Sequence, residues 1–333
     1  MRINVLVQNI INISHLELVL AYCYYVCEHY ESVTLFISTN DKMWNKKIIG
    51  KDTFTHYILP SNLDIKFEVD NNILRKYPLY ICNFGRMQVS NYQMAKKFET
   101  FKKFVIFDEG SGSWQHFLIL LINGIKEKKR MKRPFMKYIL RMSVSWILHK
   151  GLKKDFEIWT WLKEGEINTT FLDYLKKVYA SKKDNFNRVT MPTISSKSWI
   201  ILTSPLVEMG YMLKDEYINW FNNILHKIEK ENNQIFIKCH PAEDTSKYET
   251  FFSKNVTILK ETESIESMLY PTQYHQVNVI GEFSTSLVTL NMLYGINTYG
   301  VESLVDVKIS GDFKRLFSQH VKPLDMKVSI HEK

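Results

Sequence analysis

Cysteine is scarce: Cys23, Cys27, Cys82 and Cys239 are the only four in 333 residues. Cys23 and Cys27 stand one helical turn apart, but no nearby Cys or His pair completes a tetrahedral set, so a structural zinc module is excluded. Four thiols in apolar or strand-like settings read as reduced and buried, which fits a cytoplasmic protein. Glycine is scarce too, with 12 residues, beside many Lys, Ile and Asn, a texture set by genome composition more than by function. Long apolar runs are missing, since FLILLI (117–122) is far too short to cross a bilayer. The opening MRINVLVQN has a strand pattern and lacks the long apolar stretch and small-residue cleavage site of a secretory signal. The chain is therefore expected to be soluble or peripheral on a membrane. Repeats of fixed period, heptads and low-complexity tracts are absent, which excludes solenoids and coiled coils. No nucleophile elbow is present, which argues against an α/β-hydrolase. No nucleic-acid-binding module is recognisable, and none is expected as a partner.

What is present is ample core material. Hydrophobic residues make up 45% and aromatic residues 14% of the chain, and 333 residues exceed what one core usually organises, so two domains are expected. The formal charge of +9 favours a polyanionic partner such as an acidic lipid or a charged glycan. Apolar β-type runs alternate with helical patterns from the start: INVLVQN (3–9), a helix over 14–30 with Ser14 as N-cap, VTLFIS (33–38), HYILP (56–60), PLYICN (78–83), an amphipathic stretch at 88–101, and KFVIFDEG. After the strand FEIWTWL (156–162), the polar segment 181–197 reads as a linker. SWIILTSP (198–205) and QIFIKCHP (234–241) then flank a helix at 213–231. There Tyr217, Phe221, Ile224 and Ile228 recur at helical spacing and form one apolar stripe. VTILKE (256–261) and VNVIGEFS (277–284) continue the alternation. Two parallel α/β domains follow from this pattern: residues 1–185, residues 198–312, and a tail at 313–333. In such sheets ligands sit beyond the carboxyl ends of the strands.

Three strand ends carry candidate chemistry. In FDEGSGSW, Asp108 and Glu109 follow a buried-type strand, with Gly110 and Gly112 permitting a tight turn. Two neighbouring carboxylates raise the pKa of at least one and prepare it to accept a proton; the ordinary alternative is a solvated turn. In IKCHP, His240 ends a strand and Pro241 fixes the turn after it. A histidine there can donate to a phosphate oxygen, or can be a satisfied structural residue. In VIGEFSTSL, Gly281 breaks the strand, and Ser284, Thr285 and Ser286 supply hydroxyls at a helix start suited to a phosphate. Plain N-capping explains them equally well.

Taken in order, Asp108-Glu109-Gly110, His240-Pro241 and Ser284-Thr285-Ser286 resemble the acidic-acidic-Gly, His-Pro and Ser/Thr motifs of bacterial sialyltransferases. The similarity is to those of the two-Rossmann (GT-B) type, which include capsular polysialyltransferases and lipooligosaccharide sialyltransferases. DEGSGS is most similar to the capsular polysialyltransferase branch. The resemblance frames residues 1–300 and implies two Rossmann-like domains facing across a central cleft. The acceptor side and the base lie in the first domain and the donor side in the second. It implies an inverting enzyme of surface-glycan synthesis, with CMP-sialic acid as donor substrate, a glycan hydroxyl as acceptor, no separate cofactor and no metal. Asp108 would be the base, with Glu109 the alternative, and His240 would serve the departing phosphate bound by Ser284 and Thr285. Glu266 would hold the ribose, although Glu261 and Glu263 lie close by, and Ser204 would border the cleft. The absence of an Asp-x-Asp pair agrees with a metal-free monophosphate leaving group.

The segment 126–154 holds eleven Lys and Arg against one acid, interleaved with Met, Phe, Trp and Leu. It reads as an element lying on the anionic inner face of the cytoplasmic membrane, as a guide for a polyanionic acceptor, or as a solvated basic helix face. Two further readings of the whole chain stay open: a transferase of the same fold using CMP-Kdo or another CMP-sugar, and a non-catalytic membrane- or glycan-binding export component.

Overall fold

The computed structural model describes residues 1–8, 10, 13–38, 51–85, 87–107, 135–163, 166–183, 198–228, 234–240, 242–251, 256–259, 264–270, 277–282, 284–301 and 311–324. The described residues fall into two compact units, one holding residues up to 107 and from 136 to 183, the other residues from 198 onward.

The first unit is built on six parallel strands: β1 (Arg2–Gln8), β2 (Ser32–Ser38), β3 (Leu63–Lys66), β4 (Leu79–Phe84), β5 (Phe101–Phe107) and β6 (Phe156–Trp159). Their spatial order is β3-β2-β1-β4-β5-β6. Strands buried on both faces need near-continuous apolar runs, and β1 supplies one, with Ile3 through Val7 all buried. The helix Ile13–His29 covers the sheet; Ser14 is its second residue and so not the expected N-cap. Leu6, Phe36, Ile81, Phe104 and Ile106 form a core on one face, and Leu148 and Leu152 pack against it. The C-terminal half of the helix Phe135–Gly151 is thereby docked, and Ser145 Oγ adds a bond to the Met87 carbonyl at 2.7 Å.

Two boundaries differ from the sequence expectation. HYILP is not a sheet strand: only Tyr57 makes a bridge, to Lys182, and Ile58 is 62% exposed. Pro60 cannot donate to a ladder, and the third strand forms instead at Leu63–Lys66 beside β2. Residues 181–183, expected to begin a linker, are anchored to the first unit. The Ser181 carbonyl accepts from Ile58 N at 2.8 Å, and Lys182 Nζ reaches the buried Glu17 at 2.8 Å. A small hairpin of β7 (Leu162–Lys163) and β8 (Glu166–Ile167) leads into the helix Thr169–Ala180.

The second unit repeats the plan with β9 (Trp199–Leu202), β10 (Ile235–Lys238), β11 (Val256–Leu259), β12 (Asn278–Gly281), β13 (Asn297–Gly300) and β14 (Lys322–Pro323), ordered β11-β10-β9-β12-β13-β14. All pairings are parallel. The expected helix is Lys214–Ile228, and Tyr217, Phe221, Ile224 and Ile228 are all buried on it, joined by Leu225. Each such side chain contributes on the order of 2 kcal/mol through burial. Gly281 ends β12 rather than breaking it. A Cβ there would come within 3.1 Å of the Leu202 carbonyl oxygen and 3.2 Å of its Cβ, so the close approach of β9 and β12 favours glycine at this position. Residues 313–324 are not a free tail. Phe313 and Leu316 of the helix Gly311–His320 are buried, and β14 forms the edge of the sheet.

Candidate active site

Both sheets have the 3-2-1-4-5-6 order, in which the chain reverses direction of winding between the first and fourth strands and opens a crevice at their carboxyl ends. In the second unit these strands are β9 and β12, with β10 on the far side of β9. Leu202 is the last residue of β9 and stands level with Lys238 of β10 and Gly281 of β12. His240 and Ser204 therefore follow two residues past one row of the sheet, and Ser284 three residues past it. The register brings the His-Pro turn, Ser204 and the Ser/Thr helix start to the same edge.

His240 is held by its own turn. Its Nδ1 accepts from Ala242 N at 3.2 Å. A ring nitrogen that accepts cannot carry the proton, so the neutral ring is the Nε2–H tautomer and presents a donor away from the turn. Although the residue is exposed overall, desolvation is the largest influence on the ring and lowers its pKa below the ordinary histidine value. Glu243 and Glu208 act in the opposite sense, and Lys238 adds to the lowering. Burial, and then Glu243, push the neighbouring Cys239 thiol up to about 11, so a thiolate nucleophile is not available there at neutral pH. Pro241 lies outside the described residues.

Ser284 is the N-cap of the helix Thr285–Tyr294, with extended backbone angles, and its Oγ accepts from Ser286 N at 3.2 Å. That is the capping role the sequence allowed. It also fixes the helix start, so the positive end of the dipole and the half-buried Thr285 and Ser286 hydroxyls are set at the sheet edge. Glu266, in the short helix Ile265–Met268, is tied to this same helix: its Oε1 accepts from Thr289 Oγ1 at 2.6 Å, and its carbonyl accepts from Tyr294 OH at 2.8 Å. Ser204 is half-buried, and its carbonyl accepts from Leu206 N at 2.8 Å.

Asp108, Glu109 and Gly110 lie outside the described residues. The strand leading to them is β5, whose last residue, Phe107, is buried and pairs with Phe84 and Trp159. Among the described residues no cluster of His, Cys, Asp or Glu is arranged to hold a metal ion, and no helix is long and apolar enough to cross a membrane.

Sequence reasoning overlooked the group under the His-Pro turn. Glu243, fully buried at its side chain, takes the His240 backbone N–H on Oε2 at 2.6 Å, and the Thr203 hydroxyl donates to the same oxygen. On Oε1 it takes Tyr248 OH at 2.8 Å and Lys247 Nζ at 2.7 Å. An acid three residues after a strand-end histidine, with a lysine four residues further on, was the available signal.

The sequence from residue 5 to residue 301 matches the family described as Alpha-2,8-polysialyltransferase (POLYST). No curated protein matches by sequence. A sialyltransferase from Photobacterium damsela is similar in structure, with a TM-score of 0.51 and 12% identity over 97% of this chain and 81% of that one. The alpha/beta-galactoside alpha-2,3-sialyltransferase of Photobacterium phosphoreum gives 0.50 and 12%, covering 97% and 98%. The UDP-GlcNAc 2-epimerase of Methanocaldococcus jannaschii gives 0.51 and 11%, covering 96% and 91%. An epimerase as similar as the transferases means that the likeness of fold establishes the GT-B architecture and no chemistry. The sequence match is what distinguishes them, and because it spans nearly the whole chain, this protein belongs to the alpha-2,8-polysialyltransferase family and is a sialyltransferase.

Proposed function

We propose that the protein transfers sialic acid from CMP-sialic acid to a hydroxyl of a bacterial surface glycan with inversion, and that it does so without a metal. The observation that carries this reading is the alignment of His240, Ser204 and the Ser284 helix start along one sheet edge at the switch point of the second unit. A phosphate at that edge meets an Nε2–H donor, two hydroxyls and a helix N-terminus, all oriented before it arrives. Preorganised donors stabilise developing charge without reorganisation at the moment of reaction.

In this mechanism Asp108 takes the proton from the acceptor hydroxyl, whose oxygen attacks the anomeric carbon from the face opposite the nucleotide. The bond from that carbon to the phosphate oxygen breaks through an oxocarbenium-like state, and CMP departs with its new charge against His240 Nε2, Ser284 and Thr285, with Ser286 behind them. Glu109 is the alternative base. Gly110 and Pro241 shape the two turns, Glu266 accepts from the ribose hydroxyls, and Ser204 borders the nucleotide. A monophosphate leaving group is within the reach of this donor set.

The second partner is an anionic membrane surface at the inner face of the cytoplasmic membrane. Leu140, Val144 and Ile147 of the helix Phe135–Gly151 are 68%, 38% and 62% exposed at i, i+4 and i+7. This apolar stripe, in a sequence rich in Lys and Arg, is the composition of an interfacial helix.

The test of the catalytic reading is calorimetry with CMP and CMP-sialic acid against UMP and UDP-sugars, without added metal. Selective cytidine binding that is lost in His240→Ala is the expected result. Equal binding of uridine nucleotides, or none at all, would overturn the donor assignment, and preference for CMP-Kdo in competition would replace the sugar.

A further inference from the structure

We propose that Glu243 is a positioning residue for His240, holding the turn that fixes the ring's tautomer and aim. The inference rests on the reading that His240 Nε2 faces the donor phosphate.

The argument starts with the cost of the arrangement. Glu243 sits at the carboxyl end of β10 with its side chain fully buried, beside a Lys247 ammonium whose side chain is 3% exposed. Lys247 Nζ also reaches Glu208 Oε1 at 3.1 Å and lies over the Tyr217 ring at 4.5 Å and the Tyr248 ring at 5.2 Å. Buried ion pairs of this kind contribute little net stability, because desolvation offsets their attraction. A buried carboxylate also requires its lone pairs to be used. Glu243 meets that requirement with four donors from four places: the His240 backbone N–H, the Thr203 hydroxyl at the end of β9, the Tyr248 hydroxyl and Lys247.

Only one of those donors touches the candidate site. The Glu243 backbone N–H returns a bond to the His240 carbonyl at 3.0 Å, so residues 240 and 243 hold each other at both ends of the turn. Inside that closed loop, Ala242 N meets His240 Nδ1. The chain of causes is short: the carboxylate sets the turn, the turn sets the Ala242 N–H, and that N–H assigns the ring proton to Nε2. Thr203 links the loop to β9, so the histidine is aligned to the same row of the sheet as Ser204. Electrostatics points the same way. Glu243 and Glu208 are the groups that favour the protonated ring, against the larger effect of desolvation and that of Lys238, so the residue that aims His240 also offsets part of the lowering of its pKa.

The experiment uses the full chain, with CMP as probe. Binding is measured by calorimetry across pH for wild type, Glu243→Gln, His240→Ala and the double variant, and the histidine ring nitrogens are followed by 15N NMR. Gln keeps the shape and can still accept, so the fold is expected to survive. Thr203→Val is the second variant should it not, since it removes one donor and leaves no charge unpaired. The expected result is CMP binding weaker by about tenfold in Glu243→Gln, with the wild-type pH dependence of CMP affinity displaced to lower pH. The His240 signals would report a mixture of tautomers, and Glu243→Gln would have no further effect in the His240→Ala background. Additive effects in the double variant, or an unchanged tautomer and pH profile, would overturn the inference. If His240→Ala leaves CMP affinity untouched, the donor reading of His240 fails instead, and the tautomer signal of Glu243→Gln alone still decides whether Glu243 positions the ring.

Discussion

His15 occupies the first turn of the helix Ile13–His29 and stacks on Phe84 at 4.1 Å between centroids, 11° from coplanar. It is buried, and desolvation lowers its pKa from 6.5 to about 4. The folded state therefore binds the proton less readily than the unfolded chain. The stabilisation is complete above pH 6.5 and is lost as the pH falls from 6.5 toward 4, amounting to about 3 kcal/mol. His15→Phe keeps the stack and removes the titration. The variant should be no more acid-sensitive through this site, so its stability relative to wild type rises between pH 7 and pH 4 in urea denaturation. An unchanged difference across that range would show that the ring is not held neutral. Residues of this kind divide by how their role is written. The positions of His240 and Ser284, past a strand end and at a helix N-cap, were legible because a strand end, a proline and a helix start are local signals. Glu243 was not, because its partner Thr203 stands 40 residues away and meets it only when β9 and β10 pair, while the local bond from Tyr248, five residues on, has no distinctive sequence pattern. A buried acid joined to a buried base looks, in sequence, like two surface charges.

The helix Phe135–Gly151 shows how one element can answer to two surroundings. Ser145 and Leu148 face the first unit, while Leu140, Val144 and Ile147 face outward, and Lys150 lies over the Trp146 ring at 4.3 Å. Replacing Leu140 and Ile147, which are mostly exposed, by Gln should change stability by less than about 0.5 kcal/mol for each, and Val144→Gln, at a side chain only 38% exposed, completes a triple variant at a somewhat larger cost. On the proposed membrane reading, sedimentation with vesicles containing phosphatidylserine should drop at least several-fold in the triple variant, and wild-type binding should fall with added salt. Equal sedimentation of the variant would reduce the stripe to a solvated helix face. Elements with a strong period were readable: the Tyr217-to-Ile228 stripe landed on one buried face, and β1, β2 and β4 fell where continuous apolar runs stand. Short strands were not. β13 reads NTYG and β14 is Lys322–Pro323, too brief to show a period, and both are strands because a neighbour supplies the ladder. The same reason moved the third strand from HYILP to Leu63–Lys66, where β2 offers an open edge.

Two sheets of identical strand order, each with its own switch point, give the chain two places at which a ligand can bind beyond strand ends. The alternation of strands and helices made this duplication readable, because a crossover between parallel strands is long and usually passes through a helix. The candidate chemistry is split between the units. The residues proposed for the donor side, His240, Ser284 and Glu266, belong to the second, whereas Asp108, the proposed base, directly follows β5 of the first. A division of labour between nucleotide binding and proton abstraction has a consequence that a single shared site does not. Asp108→Asn should lower transfer from CMP-sialic acid by about 100- to 10,000-fold, the usual contribution of a general base, while CMP affinity stays within about threefold of wild type. His240→Ala should do the reverse in calorimetry and weaken CMP directly. Glu109→Gln serves as the internal comparison, since it changes one acid of the same turn and leaves the other. Loss in Glu109→Gln with activity retained in Asp108→Asn would transfer the base to the second acid. Full activity in both would remove the base from this turn altogether. Loss of CMP affinity in Asp108→Asn would mean that the acidic turn takes part in nucleotide binding, and that the two functions are not divided between the units.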